Sequence, residues 1–242
     1  MEAYDPLLMG NWHHDIVINA AVRTRDLSPA YNDRSTTSKE GLAKEIKDIY
    51  GEALKDKNVL DIACNAGGHL YALNRFGINS GFGFDARSLW IQQAHWLKRN
   101  IDIPCDNLTF VEGSFDVLQD FEDRHFHLSL FNGIFYHLAD PITQLAKVAE
   151  KTSELLVINT AYAPQHSAGP PALIFKMEDA SIETGLSGLD GLSWLPSGEY
   201  VLYRILKHMG FPYAQLMFKS PKTNRLAVIA AREEGLLTIA DV

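Results

Sequence analysis

Residues 58–85 read NVLDIACNAGGHLYALNRFGINSGFGFD. The stretch begins with a short apolar run that ends on Asp61 and a turn of small residues, 63–68. A segment with apolar residues at helical spacing follows (Leu70, Leu73, Phe76), and a second short run ends on Asp85. Strand, turn, helix and strand in this order predict a βαβ unit of an open parallel sheet.

The position of Asp85 indicates what kind of ligand such a unit binds. The helix N-terminus lies beside the carboxyl end of the first strand, where backbone N–H groups and the helix dipole meet a ligand. Asp85 stands at the end of the second strand, where a carboxylate can accept hydrogen bonds from both hydroxyls of a ribose. The stretch therefore predicts a site for a ligand that contains a nucleoside.

The residues of the turn favour a ligand without a pyrophosphate. A dinucleotide site needs glycine at the first two positions of its fingerprint, because the pyrophosphate nearly touches the backbone there. Ala63 and Asn65 hold those positions here, and only Gly67 remains of the three glycines. S-adenosylmethionine (SAM) has an adenosine but no phosphate, and the turn favours SAM for that reason.

The remaining pattern predicts the fold class. Thr37 and Glu40 have the spacing of a capping box, which predicts a helix that ends near Lys55. The elements expected after Asp85 are a helix over 88–100 with Leu89, Trp90 and Trp96 in the core, strands over 108–111, 127–131 and 154–159, a helix from Pro141, a helix over 197–208 that ends at Gly210, and closing strands over 213–218 and 226–231. This alternation predicts an α/β protein with a seven-stranded, mostly parallel sheet, helices on both faces and a C-terminal antiparallel hairpin.

Two segments fall outside this alternation. Residues 161–193 have no sustained period and are rich in Gly, Pro and Ser, which predicts a loop that acts as a lid. Residues 1–57 form an N-terminal arm and helix that precede the domain over 58–242. The favoured interpretation of the arm is a surface segment packed on the domain. The alternative is a second lid from which Arg23, Arg25 or Arg34 reaches a carboxylate.

Composition excludes several classes of protein. The chain has 242 residues, of which 46% are apolar and 21% charged, as expected for one soluble α/β domain. No apolar stretch is long enough to span a bilayer, and the N-terminus has no basic leader. The cysteines are Cys64 and Cys105, which favours a reduced cytoplasm. The formal net charge of −8 provides no general attraction to nucleic acid or to an anionic membrane.

Three stretches carry a resemblance to a known family. The run DIACNAGG (61–68) resembles the first motif of class I SAM-dependent methyltransferases. With FNGIFYHLADPITQL (131–145) and WLPSGEYVLYRILKHMGF (194–211), it resembles the subfamily of tRNA wobble-uridine carboxymethyltransferases and their small-molecule methyltransferase relatives. The resemblance covers about residues 58–232. It implies a Rossmann-like fold, SAM as the cofactor and S-adenosyl-L-homocysteine as its product.

The motif positions and the expected strand ends define candidate cofactor-binding residues. These are Asp61, Ala63, Cys64, Asn65, Gly67, Asp85, Ala86, Ser114, Phe115 and Asn132. Ser114 and Phe115 follow the third strand, where the family brackets the adenine, although each could equally belong to an ordinary turn. No His/Cys cluster has metal-ligand spacing, so we expect no metal.

The catalytic candidates are Tyr136 and His137, which follow the fourth strand. If the methyl acceptor is a hydroxyl or an ammonium group, a base must remove its proton, and His137 is the best candidate. The alternative is that His137 caps a helix or satisfies a backbone carbonyl. Tyr136 could instead orient the acceptor. Four charged residues of the expected lid are interpreted as surface groups: His166, Lys176, Glu178 and Asp179.

Three functions remain open at this point. The first, which we favour, is methylation of the oxygen or nitrogen of a small metabolite. The second is modification of a wobble uridine in tRNA with SAM or its carboxylated form, whose extra carboxylate the family binds with a tyrosine and basic partners. Tyr136 matches that tyrosine, and Arg225 is a candidate partner. The third is an enzyme that uses SAM for another reaction, such as cyclisation or cleavage of its aminobutyryl chain. The family's tRNA enzymes have a longer N-terminal region, and we do not expect nucleic acid as a partner.

Overall fold

The computed structural model describes residues 10, 12–27, 39–178 and 188–237. The chain divides into two compact units, Met1–Val117 and Leu118–Val242. The predicted division into an arm (1–57) and a domain (58–242) stays a prediction.

The first unit contains the βαβ unit that the opening stretch predicts. Its elements are helix α1 (Thr24–Leu27), helix α2 (Lys39–Tyr50) with a 3₁₀ continuation (Gly51–Asp56), strand β1 (Asn58–Ile62), helix α3 (Gly68–Asn74), strand β2 (Ser80–Asp85), helix α4 (Ser88–Asn100) and strand β3 (Leu108–Glu112). Strand β2 pairs in parallel with both β1 and β3. A 3₁₀ helix (Phe115–Asp120) follows β3.

The second unit contains the other strands of the seven-stranded sheet. Its elements are strand β4 (Phe126–Asn132), a 3₁₀ helix (Phe135–His137), helix α5 (Pro141–Lys151), strand β5 (Thr152–Ala161), a 3₁₀ helix (Pro164–His166), strands β6 (Leu173–Met177) and β7 (Leu192–Pro196), helix α6 (Glu199–His208), and strands β8 (Tyr213–Ser220) and β9 (Arg225–Ala231). Strand β5 pairs in parallel with β4, while β9 is antiparallel to both β5 and β8. The predicted fold class, mostly parallel with a closing antiparallel hairpin, is confirmed.

Close packing around β2 explains why the opening stretch is rich in glycine. A Cβ atom at Gly83 would lie 2.9 Å from Cys64 Sγ and 3.1 Å from a methyl group of Leu70 on α3. A Cβ atom at Gly81 would lie 2.8 Å from a methyl group of Leu108 on β3. Contacts this short require the neighbouring side chains to shift, so a larger residue at either position would disturb the packing around β2.

Local signals set the start of α5, as the sequence predicts. The Asp140 side chain accepts a hydrogen bond from Thr143 N at 3.1 Å and so caps the helix. Pro141 occupies the first turn, where its missing N–H leaves no hydrogen bond unmade. The buried face of the helix includes Leu145 and Val148, both fully buried.

Other predicted features need correction. Phe76 lies beyond the end of α3 and is 39% exposed, so it is not a core residue of that helix. The segment 161–193 is not a structureless loop, because β6 and β7 pair within it as an antiparallel hairpin. Thr37 of the expected capping box lies outside the described residues. Its expected partner Glu40 accepts a hydrogen bond from Arg23 at 3.2 Å, and the capping box stays a prediction.

The described part of the N-terminal arm packs on the first unit. Trp12 is 1% exposed, and its ring centroid lies 5.9 Å from that of Trp96 on α4. Asp15 accepts two hydrogen bonds from Arg23 Nε, both at 2.9 Å. Arg25 also lies 3.6 Å from the Asp15 carboxylate. These arginines therefore bind a carboxylate of the arm itself, while Arg34 lies outside the described residues.

Two further observations concern the cysteines and the helices. Cys64 and Cys105 are buried free thiols. Within the described ranges, every helix is too short or too polar to cross a membrane.

We predict that Gly67→Ala destabilises the first unit more than Gly77→Ala does. Both glycines have left-handed backbones, with φ of +78° and +81°, so both substitutions strain the backbone by about 1–2 kcal/mol. A Cβ atom at Gly67 would also overlap the Phe110 ring, whereas nothing lies within 4 Å of one at Gly77. The overlap adds about 1–3 kcal/mol. Urea denaturation measures both free energies of unfolding, and equal losses would contradict this packing.

Candidate active site

The turn between β1 and α3 keeps an unusual backbone at three alternate positions. Ala63, Asn65 and Gly67 have φ of +52°, +52° and +78°. Ala63 and Asn65 occupy the first two positions that glycine holds in a dinucleotide fingerprint, and a left-handed backbone costs a non-glycine residue about 1–3 kcal/mol. The turn therefore has a strained, glycine-like backbone while Ala63 and Asn65 present side chains. Strain of this kind is concentrated at ligand sites.

The carboxylate of Asp85 holds this turn in place. Its Oδ2 accepts a hydrogen bond from Asn65 N at 2.9 Å, and its Oδ1 accepts one from Arg87 N at 3.0 Å. Asp85 is 5% exposed, and burial raises the pKa of its carboxyl although these backbone N–H groups lower it. Each carboxylate oxygen has two lone pairs, so Asp85 retains acceptor capacity for two hydroxyl groups.

Asp61, which precedes the turn, has a side-chain oxygen without a hydrogen-bond partner among the described residues. Its side chain is 1% exposed, and its Oδ2 accepts no hydrogen bond from any described residue. Burial raises the pKa of this carboxyl well above its usual range, and the negative charge of Asp85 raises it further. Leaving a buried acceptor unsatisfied costs about 1–3 kcal/mol. A ligand that donates a hydrogen bond here would remove that cost.

The other predicted cofactor residues of the first unit differ in their surroundings. Cys64 is buried, and burial raises the pKa of its thiol well above the usual value. Ala86 is half-buried and Ser114 is exposed. Phe115 is 8% exposed, and its ring meets Phe84 edge-on with the centroids 5.6 Å apart. Phe115 thus has a packing role, and contact of these residues with a cofactor stays a prediction.

Asn132, at the end of β4 in the second unit, also has unsatisfied polar atoms. Its Nδ2 and Oδ1 are both buried, and neither has a hydrogen-bond partner among the described residues. A buried amide of this kind suits contact with a polar ligand, since it can donate and accept at once.

His14 of the arm, which is not among the predicted site residues, lies against the turn. A Cβ atom at Gly68 would lie only 2.8 Å from His14 Nδ1, so residue 68 has to be glycine for the arm to pack here. His69 follows, with its ring centroid 5.9 Å from that of His14. The second glycine of the AGG run was the available signal.

Both histidines are held in the neutral form. Burial lowers the pKa of His14 well below its usual value, and the positive charge of Lys39 lowers it further. The same two causes lower the pKa of His69 to about 3. The Nδ1 atoms of both rings are buried without a hydrogen-bond partner in the described structure.

We predict that His69→Gln reduces the loss of stability in acid. Below the unfolded pKa of about 6.5 the unfolded chain binds a proton that folded His69 does not bind until about pH 3. Folded-state stability therefore falls with pH in this window by up to about 1.4 kcal/mol per pH unit from this residue. Urea denaturation between about pH 7 and pH 5 measures the slope. The exposed His166→Gln serves as the control, and identical slopes for H69Q and wild type would contradict the prediction.

In the second unit, Tyr136 and Arg225 form a close pair. Arg225 donates from its guanidinium to Tyr136 Oη at 2.7 Å, and the guanidinium lies 4.6 Å from the centre of the tyrosine ring. Burial raises the pKa of Tyr136, while the positive charge of Arg225 lowers it. The structure thus brings together the two residues that the family resemblance singles out in this unit.

His137 is paired with a carboxylate of the segment 161–193. Its Nδ1 lies 2.9 Å from Glu178 Oε1, and the two side chains are 14% and 16% exposed. Glu178 Oε1 also accepts a hydrogen bond from Gly188 N at 3.0 Å. The interpretation of Glu178 as a surface charge is therefore wrong, whereas His166 and Lys176 are exposed as expected. Asp179 lies outside the described residues.

The hairpin β6–β7 is anchored to the same turn. Ser193 Oγ donates to the carbonyl of Tyr136 at 2.6 Å, and Trp194 Nε1 donates to the carbonyl of Ala139 at 3.0 Å. Both donors lie on β7, so this strand is hydrogen-bonded to the backbone before and after His137. Among the described residues no group of three His, Cys, Asp or Glu side chains is placed to hold a metal ion.

Comparison with known proteins gives partial sequence matches. No family model matches the chain. The chain is 31% identical over 116 residues to a tRNA U34 carboxymethyltransferase of Alteromonas mediterranea, a match that covers 44% of this chain and 34% of that protein. It is 30% identical over 142 residues to the enzyme of the same name from Colwellia psychrerythraea, covering 54% and 41%. The chain therefore spans less than half the length of these relatives.

Solved structures match over nearly the whole chain. The N-terminal domain of EvdMO1, crystallised with S-adenosylhomocysteine, superimposes with a TM-score of 0.71 and 15% identity over 92% of both chains. Magnesium protoporphyrin IX methyltransferase of Synechocystis PCC 6803, crystallised with SAM, gives a TM-score of 0.57 and 13% identity over 81% of this chain and 79% of that one. The chain has the Rossmann-like fold of class I methyltransferases.

Proposed function

We propose that this protein is a SAM-dependent methyltransferase that acts on a small metabolite. The observation that carries the proposal is the turn at 63–67, whose left-handed backbone is closed by the buried Asp85 carboxylate. The side chains of Ala63 and Asn65 disfavour a pyrophosphate, and the neighbouring acids Asp61 and Asp85 suit a nucleoside with a cationic tail. Similarity in fold to proteins crystallised with SAM or S-adenosylhomocysteine supports the same donor.

The two acids beside the turn, Asp61 and Asp85, fit the two polar ends of SAM. Asp85 would accept hydrogen bonds from the ribose hydroxyls with its remaining lone pairs. The unpartnered Asp61 Oδ2 would accept from the ammonium group of the methionine part, which would also stabilise the ionised carboxylate. When bound, SAM supplies an electrophilic methyl group, so the chain's own task is to hold an acceptor in line and to exclude water.

The second unit supplies the groups for the acceptor. His137 is the candidate base for a hydroxyl or ammonium acceptor, because its ring pairs with a carboxylate. Tyr136, fixed by Arg225, is the candidate for orienting the acceptor. The hairpin β6–β7, fixed to the turn at 136–139, would cover this region as a lid.

We predict that Asp85→Ala weakens SAM binding at least about tenfold. Hydrogen bonds to a charged group contribute about 1.5–3 kcal/mol each, and one such bond corresponds to about a tenfold change in Kd. Isothermal calorimetry with SAM measures the change. Thermal denaturation establishes that the variant is folded, and Asp106→Ala, an exposed acid of the same unit, is the control. Unchanged affinity in D85A, or no SAM binding by the wild type, would overturn the donor assignment.

The pairing of Tyr136 with Arg225 supports a second candidate function. The family resemblance implies that tRNA wobble-uridine carboxymethyltransferases hold the extra carboxylate of carboxylated SAM with a tyrosine and basic partners. Arg225 and Tyr136 Oη, which lie 2.7 Å apart, suit that role. The curated relatives carry the name of this tRNA activity. Mass spectrometry of the ligand that co-purifies with the protein distinguishes SAM from its carboxylated form.

We predict that the chain does not bind tRNA tightly at physiological salt. Neutralising several phosphates requires clustered Lys and Arg, and this chain has 22 of them against 30 Asp and Glu. Filter-binding titrations with bulk tRNA at low and physiological salt measure the affinity. Salt-sensitive binding at micromolar or lower Kd, together with modification of the wobble uridine, would favour the tRNA function over the small metabolite.

A further inference from the structure

The environment of His137 assigns its two ring nitrogens different roles. An ionised carboxylate only accepts hydrogen bonds, so Nδ1, which lies 2.9 Å from Glu178 Oε1, must be the donor. In the neutral ring one nitrogen carries the proton and the other accepts. The proton therefore sits on Nδ1, and Nε2 is the nitrogen that can take up a proton.

The carboxylate is itself held in position. Glu178 lies directly after β6, and its Oε1 accepts from Gly188 N at 3.0 Å as well as from His137. A Cβ atom at Gly188 would lie 2.6 Å from the carbonyl oxygen of His137, so glycine is needed where the chain passes this residue. Residues from both strands' ends of the segment 161–193, called the insert below, thus meet at His137. The Glu178 side chain is 16% exposed.

We propose that Glu178 is a positioning residue for His137, which it fixes as a base that works through Nε2. The inference rests on the proposed methyl transfer. As the acceptor oxygen or nitrogen forms its bond to the methyl carbon, the electron pair of the breaking S–C bond stays on sulfur and the acceptor proton moves to Nε2. The imidazolium that forms is stabilised by the negative charge of Glu178 and later releases the proton to solvent.

Tyr136, Asp140, Ser193 and Trp194 do not supply this charge. Tyr136, whose ring centroid lies 4.0 Å from that of His137, is bound to the cationic Arg225. A nearby positive charge disfavours the imidazolium. Asp140, the next acid along the chain, accepts from Thr143 N at the start of α5. Ser193 and Trp194 donate to the carbonyls of residues 136 and 139 and carry no charge.

The position of Glu178 makes the base depend on the insert. His137 lies in the 3₁₀ turn after β4, whereas Glu178 is 41 residues later, beyond β6. A displacement of the hairpin would separate the pair and remove this carboxylate from His137. The ring would then be a weaker base until the insert returned to its place.

The test is a pH titration of His137 by ¹⁵N NMR in the full chain without ligand. The protein has nine histidines, and the spectrum of His137→Asn assigns the ring signals. Glu178→Gln keeps the shape and the acceptor oxygen of the side chain but removes its charge. We expect the titration midpoint of His137 to fall by about one pH unit in E178Q. Glu122→Gln, which removes an exposed charge of the same unit, should leave it in place.

The nitrogen shifts test the assignment of the proton independently. In the wild type, neutral His137 should show a protonated Nδ1 and an unprotonated Nε2, and Glu178→Leu should move the proton toward Nε2. An unchanged midpoint in E178Q, or a protonated Nε2 in the neutral wild type, would overturn the positioning role. Calorimetry separates this failure from that of the donor site, because E178Q should bind SAM as the wild type does. A wild type that bound no SAM would overturn the proposed function and, with it, the role of the pair.

Discussion

The hydrogen bond from Asn65 N to the Asp85 carboxylate is the interaction on which the first unit depends. It connects the turn after β1 to the end of β2, the two places where a βαβ unit meets its ligand. Asn65 has a left-handed backbone that costs free energy, and the buried carboxylate offsets that cost by satisfying its N–H group. One side chain therefore shapes the turn and is also available to the ligand, so a change at Asp85 affects both structure and binding.

Much of the fold could be predicted because its signals are local. Strands of a parallel sheet are short continuous apolar runs, and β1 and β4 were visible for that reason. The start of α5 was visible because proline is favoured in the first turn of a helix, where Pro141 lies. The hairpin β6–β7 was missed because each strand has only five residues and its apolar pattern is broken, by Lys176 in β6 and by Ser193 in β7. Phe76 was misassigned because a helical spacing does not reveal that α3 ends at Asn74.

The candidate site also has parts that the sequence predicts and parts that it does not. The turn and Asp85 lie in one contiguous stretch whose spacing reflects a single supersecondary unit, and the sequence predicts both. Glu178 could not be assigned to His137, since the two are 41 positions apart and the sequence between them has no pattern that specifies their pairing. His14 was missed for the same reason, because it reaches Gly68 from a distant part of the arm. Side-chain pairs that depend on tertiary packing are invisible to a pattern search.

The turn also affects which adenosine-containing molecules would fit the candidate site. Dinucleotides and nucleoside triphosphates carry an adenosine, and a site that recognised only the adenosine would admit them as well. Ala63 and Asn65 adopt the glycine-like backbone but add a Cβ atom to it, and a phosphate chain has to approach such a backbone closely. If the turn binds SAM as proposed, the excluded volume of these two small side chains would act as a steric filter against phosphorylated competitors.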